Sequence, residues 1–191
     1  MQSEDTFLRY VPIFTDLPEE TLEKIESIGR RKNYSKDEPI LLEEDSGTAL
    51  FVIISGRVKV SRSSSDGREV IITMLSDSDF FGEMAILDGL ARSANVIATE
   101  KSDVFLIHRN DFLELLRNHT EVAITLLQEL TTRLRNADMK IKALSLKDSE
   151  GKVATVLLQI AEYSGIIRQG VVEIEKLPVQ QDLANMAGTS R

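Results

Sequence analysis

Cysteine and tryptophan are absent from this 191-residue chain, histidine occurs twice, proline four times, and aromatic residues make up 5%. Without cysteine the chain can form no disulfide, no thiolate zinc site and no cysteine-ligated iron–sulfur cluster. His108 and His119 have no second histidine or clustered carboxylate at metal-ligand spacing, so both read as ordinary structural or surface residues. No apolar run approaches the roughly 18 residues of a membrane span. The start, Met1-Gln2-Ser3-Glu4-Asp5, lacks a basic segment, and a cytoplasmic location is expected. No nucleophile–base–acid set is visible, so an enzyme is not expected. Positive charge is also in deficit: 23 Lys and Arg stand against 31 Asp and Glu, for a formal charge of −8. That balance argues against a protein coated in nucleic acid, although it is compatible with one basic face.

What is present is concentrated in one segment. Phe80-Phe81-Gly82-Glu83-Met84-Ala85-Ile86-Leu87 is followed after a turn by Ala91-Arg92-Ser93-Ala94. Gly82 permits close backbone approach, and Met84 to Leu87 can form a short helix whose free N–H groups face an anion. Arg92 offers a planar fork for phosphate oxygens, and Ser93 adds a hydroxyl and its own N–H. Glu83 only accepts hydrogen bonds, so it suits a ligand with donors, such as a sugar hydroxyl. A carboxylate beside a guanidinium therefore suggests a nucleotide rather than free phosphate. Singly, Arg92 could be a solvated surface group and Glu83 its ion-pair partner.

Around this segment the pattern divides the chain. Residues 16–31 read as an amphipathic helix with Asp16 as N-cap and Leu22, Ile25 and Ile28 on one face. Short apolar runs at Leu50–Ile54, Val58–Val60, Val70–Leu75 and Asp103–Ile107, separated by glycine turns, imply a small antiparallel barrel or jelly roll. From Thr120 the period changes: Ala123, Leu127, Leu130, Leu134, Ala137, Ile141 and Leu144 form a heptad seam that calls for a partner helix. The alternative is a helix packed on its own barrel. Ser145–Ser149 reads as a hinge, 151–161 as another helix, and Val171–Ile174 as a strand. After Pro178 a helix ends at Gly188, which suits a left-handed turn, and Ser190 suits capping of a next helix.

Phe81-Gly82-Glu83 and Arg92-Ser93-Ala94 resemble the phosphate-binding cassette of bacterial regulators of the cAMP receptor protein and FNR (Crp/Fnr) family, and the resemblance extends over nearly the whole chain. It implies an α+β fold. Residues 1–119 would form a cyclic-nucleotide-binding jelly-roll (double-stranded β-helix) barrel, 120–144 a dimerisation helix, 145–149 a hinge and 150–191 the start of a winged helix-turn-helix. The implied effector is a cyclic purine nucleotide, cAMP in preference to cGMP, held by Gly82, Glu83, Arg92, Ser93 and Asp138, with no metal, haem or iron–sulfur cluster. The absence of cysteine excludes an oxygen sensor of the FNR type.

Two features depart from the resembled pattern. Where cAMP-responsive members carry a Thr-Ser pair, this chain has Ala137-Asp138. A carboxylate there could accept from the adenine amine or from the paired N–H groups of guanine, or it could simply pair with Lys142. The resemblance also assigns DNA contacts to Val179, Gln180, Gln181, Ser190 and Arg191, and places most of the recognition helix past Arg191. From Asp148 onward four basic residues face six acidic ones, which is not a DNA-binding surface by itself. The implied partners are a second copy of the chain through 120–144, double-stranded DNA and RNA polymerase, with no membrane. The expected function is a ligand-responsive transcriptional regulator. The alternatives are a constitutive or other-ligand regulator and, less favoured, a regulatory module of a fused enzyme.

Overall fold

The computed structural model describes residues 6–64, 67–168, 171–174 and 177–189. The chain forms two compact units, Met1–Arg62 with Thr73–Leu130, and Ser63–Ile72 with Thr131–Arg191.

The first unit opens with two short 3-10 turns, Phe7–Tyr10 and Pro12–Phe14, and helix α1, Glu19–Ile28. The helix is shorter than the 16–31 expected from its sequence. Pro18 rather than Asp16 is its N-cap, and no side chain caps it. Glu19 and Glu20 in the first turn face the positive end of the helix dipole. Leu22 and Ile25 are buried, whereas Ile28 is largely exposed. The helix ends at Gly29, which must be glycine because a Cβ there would lie 1.9 Å from the tip of the Phe105 ring. Arg30 and Arg31 then enter a strand instead of extending the helix.

The strands are β1 (Arg30–Tyr34), β2 (Pro39–Leu41), β3 (Ala49–Ser55), β4 (Val58–Ser63), β5 (Glu69–Leu75), β6 (Phe80–Phe81), β7 (Asn95–Ala98) and β8 (Ser102–His108). Helix α2, Glu83–Asp88, lies between β6 and β7. The strands form two four-stranded sheets in the orders β1-β8-β3-β6 and β2-β7-β4-β5. These are the two sheets of the expected jelly roll.

Strand β3 explains how the layers stack. Its side chains alternate between two cores: Leu50 and Val52 join Leu8, Phe14, Leu22 and Phe112, while Ala49, Phe51 and Ile53 join Tyr34, Val58 and Val96. Burial on both faces accounts for an apolar run without polar alternation. Strands β8 and β6 divide in the same way. Phe105 and Ile107 face the first core and Val104 the second; Phe80 faces the first and Phe81 the second. Four strands have no counterpart among the runs expected from sequence: β1, β2, β6 and β7. The run Arg30-Arg31-Lys32-Asn33 is exposed and belongs to a strand only through its pairing with Val104 to Leu106 and Asp103 of β8.

Helix α3 (Arg109–Asn118) packs Phe112 into the first core, and α4 (Thr120–Leu146) follows. The first turns of α4 carry two apolar faces. Val122 and Leu126 are buried in the first core with Leu130 against it, so the helix docks on its own barrel as well as carrying the seam. Along the seam, Leu127, Leu134 and Ile141 are 63%, 63% and 62% exposed. The Leu144 side chain lies outside what the structure describes.

In the second unit α5 (Ser149–Ser164) follows α4 with only Lys147 and Asp148 between the helices. Asp148 is the N-cap and accepts from the Gly151 N–H at 2.9 Å. A hairpin of β9 (Ile166–Arg168) and β10 (Val171–Glu173) precedes α6 (Gln180–Ala187), which packs on α5 and buries Ala184 and Ala187. Gly188 ends α6 with φ +60°, the left-handed turn expected for it. Lys140 of α4 is half-buried and donates to the Ile72 carbonyl, and burial pushes its ammonium below the usual value.

Replacing Leu126 by Ala should lower the free energy of unfolding by about 2 to 5 kcal/mol, as buried Leu-to-Ala changes do. Urea denaturation followed by circular dichroism measures it. A loss below about 1 kcal/mol would show that α4 does not dock on the barrel.

Candidate functional site

The cassette is built around one buried charge. Arg92 is 4% exposed. Its main chain is held to the segment before β3: the Arg92 N–H donates to the Asp45 carbonyl at 2.8 Å, and its carbonyl accepts from Glu44 N–H at 3.0 Å. A bridge between Ser46 and Ala91 continues this pairing. The side chain then crosses to the other end of the cassette. Its Nη1 donates to the Gly82 carbonyl at 2.7 Å and its Nη2 to the Ala49 carbonyl at 2.8 Å. The guanidinium carbon lies 5.6 Å from the centre of the Phe51 ring, which is stacked on Phe81 at 5.1 Å. Nε is buried without a hydrogen-bond partner.

Gly82 has φ +84° and precedes the first residue of α2. A Cβ on it would lie 2.7 Å from Arg92 Nη1 and 3.2 Å from the Ala49 carbonyl oxygen, so glycine is required by both conformation and space. Glu83 is 5% exposed. Burial pushes the Arg92 guanidinium below its ordinary pKa, while the carboxylates of Glu83 and Asp45 push it back up. Gly47 allows α2 to sit close, since a Cβ there would meet that of Ala85 at 2.3 Å. At the far end of α2, Arg109 Nε donates to the Ile86 carbonyl at 3.1 Å.

The structure thus brings Gly82, Glu83 and Arg92 together, with Ser93 beside them. Ser93 is exposed, and its hydroxyl lies 3.6 Å from Met84 Sδ. Asp138 is exposed on α4, in the second unit. Val179, Gln180 and Gln181 are exposed at the start of α6, where Gln181 Nε2 donates to Asn185 Oδ1 at 2.9 Å. Ser190 and Arg191 lie outside the described residues. Asp45, Ala49 and Phe51 escaped sequence reasoning. They precede Arg92 by more than 40 positions, and Ala49 acts through its carbonyl, which every residue type has. Among the described residues no cluster of His, Asp and Glu could hold a metal, and no helix is long and apolar enough to cross a membrane.

The cyclic nucleotide-binding domain family matches residues 31–119, which span the sheets and the cassette. The cyclic AMP receptor protein of Thermus thermophilus is 34% identical over 180 residues, covering 94% of this chain and 80% of the relative. The chain belongs to the Crp/Fnr family of transcriptional regulators. A second member, the cAMP-activated global regulator Vfr of Pseudomonas aeruginosa, is 33% identical over 74% of this chain and 68% of its own. The crystal structure of the Thermus thermophilus catabolite activator protein superposes with a TM-score of 0.64 at 33% identity, covering 94% of this chain and 81% of that one. In this Crp/Fnr chain, as the resemblance implied, a jelly-roll domain precedes a long helix and the start of a helix-turn-helix.

Replacing Gly82 by Ala should cost about 1 to 3 kcal/mol of stability, because the residue must leave its left-handed conformation or displace the guanidinium. Guanidinium chloride denaturation tests this. An unchanged midpoint and slope would show that the turn is not held by Arg92.

Proposed function

We propose that this Crp/Fnr regulator responds to a cyclic purine mononucleotide, cAMP in preference to cGMP, and that the effector changes how a dimer presents its helix-turn-helix heads to DNA. The observation that carries the reading is the unpartnered, buried Nε of Arg92 beside the left-handed turn at Gly82 and the buried Glu83. A donor buried without a partner is costly, and an anionic oxygen would satisfy it. The residues therefore fit the ligand class that the family resemblance implies, and relatives named for cAMP support the choice of adenine.

A cyclic nucleotide supplies a singly charged phosphodiester, a sugar hydroxyl and a base. Arg92 and Ser93 would hold the phosphate beside the turn at Gly82, which leaves room for the guanidinium, and Glu83 would accept from the sugar hydroxyl. Asp138 is the acceptor proposed for the base. The exposed seam of α4 is proposed to pair with that of a second chain, burying Leu127, Leu134 and Ile141. Residues 145–149 would then act as the hinge to the DNA-reading part, whose contacts would include Val179, Gln180 and Gln181. RNA polymerase is the further partner this role implies.

Calorimetry on ligand-stripped protein should show one cAMP site per chain, with cGMP weaker. Saturating cAMP and cGMP giving neither heat nor a thermal shift would refute the reading and favour a constitutive or other-ligand regulator. A separate experiment tests assembly. Leu134→Asp places like charges against each other in the seam and should convert a dimer to monomers by sedimentation analysis. A parent monomeric at micromolar concentration, or a variant of unchanged mass, would rule out the paired helix.

A further inference from the structure

The cassette holds more negative than positive charge, and its one cation has few donors left over. Nη1 and Nη2 of Arg92 each hold a protein carbonyl, and Nε is the nitrogen without a partner. Arg109, at the far end of α2, is engaged on the Ile86 carbonyl. Against this single guanidinium stand two carboxylates. Glu83 is buried at the start of α2. Asp45 is on the segment paired with the main chain of Arg92 itself, through the Arg92 N–H, the Glu44 N–H and the Ser46–Ala91 bridge. The carboxylate of residue 45 therefore moves with the cassette strand that carries the arginine. Both carboxylates act on the guanidinium, raising its pKa against the effect of burial.

We propose that Asp45 is a specificity-determining residue that favours a monoanionic phosphodiester over a dianionic phosphomonoester. This rests on the reading of the cassette as a cyclic-nucleotide site. A cyclic nucleotide carries one negative charge, whereas 5′-AMP at pH 7.5 carries nearly two, because the second ionisation of a phosphomonoester has a pKa of about 6. Each added ligand charge is repelled by Asp45 as well as attracted by Arg92. The dianion also brings a third terminal oxygen to a site whose guanidinium has only Nε without a protein partner, so part of its hydration is lost without replacement. Glu83 repels in the same way but also serves the sugar hydroxyl. Asp45, exposed and outside that role, is the carboxylate that can be changed without removing a ligand contact.

The test compares Kd for cAMP and 5′-AMP in wild type, Asp45→Asn and Asp45→Ala by calorimetry at pH 7.5. Loss of the carboxylate should tighten both ligands and 5′-AMP more, so the ratio of the two constants falls about two- to fivefold in 50 mM NaCl, the scale of one partly screened charge. The fall should shrink at 500 mM NaCl. Both variants keep the carbonyl that Arg92 uses, so a folding defect would show as a loss of cAMP binding rather than a changed ratio. Wild type binding neither nucleotide would overturn the reading of the site and this proposal with it. Wild type binding cAMP, with a ratio unchanged in either variant at low salt, would overturn the role of Asp45 alone.

Discussion

A guanidinium with almost no solvent exposure has to be surrounded by acceptors, and the site is organised by that demand. Arg92 meets it with the carbonyls of Gly82 and Ala49, the face of Phe51 and the nearby carboxylates of Glu83 and Asp45. The partners come from three pieces of chain. Satisfying one side chain therefore fixes the turn before α2, the start of β3 and the segment preceding it. The need for glycine at 82 follows in part from the same constraint, since a side chain there would occupy the space of Nη1.

The barrel makes such a burial feasible. Strand β3 has a core on each face, which makes the Ala49–Ile53 backbone a rigid support, and its first carbonyl is the one Arg92 uses. Phe80 and Phe81 are adjacent residues in different cores, so the strand that leads into the cassette is anchored from both sides. Polar chemistry is concentrated where the chain leaves the sheet, as usual for loops positioned by a packed scaffold.

Helix α4 docks on its own barrel and still leaves much of its heptad on the surface. Leu130 is common to both sets of residues, and the others differ. Val122 and Leu126 point into the barrel core while Leu127, Leu134 and Ile141 remain on the surface. The heptad was visible because it repeats over many turns. The docking face was not, because Val122 and Leu126 fall outside that repeat and Leu130, which packs beside them, is already part of it. Lys140 is similar: it reads as a solvated residue, yet its ammonium meets the Ile72 carbonyl from a strand far away in sequence.

Residue order alone determined whatever depends on neighbours along the chain. The apolar runs of β3, β5 and β8, the long helix, the close approach at Gly82, the glycine turn at 188 and the cassette spacing all follow from local pattern and backbone stereochemistry. Asp16 as a cap, the extent of the first helix and the polar strand β1 were decided otherwise. Gly29 fits against Phe105 only because it lacks a side chain, and Arg30 to Asn33 are a strand because β8 offers them a ladder. The partners of Arg92 belong to the same class. The sequence supplies a guanidinium, but only the folded chain sets the Ala49 carbonyl and Asp45 beside it, because such neighbours are specified by sheet pairing across some 40 residues and not by their own side-chain pattern.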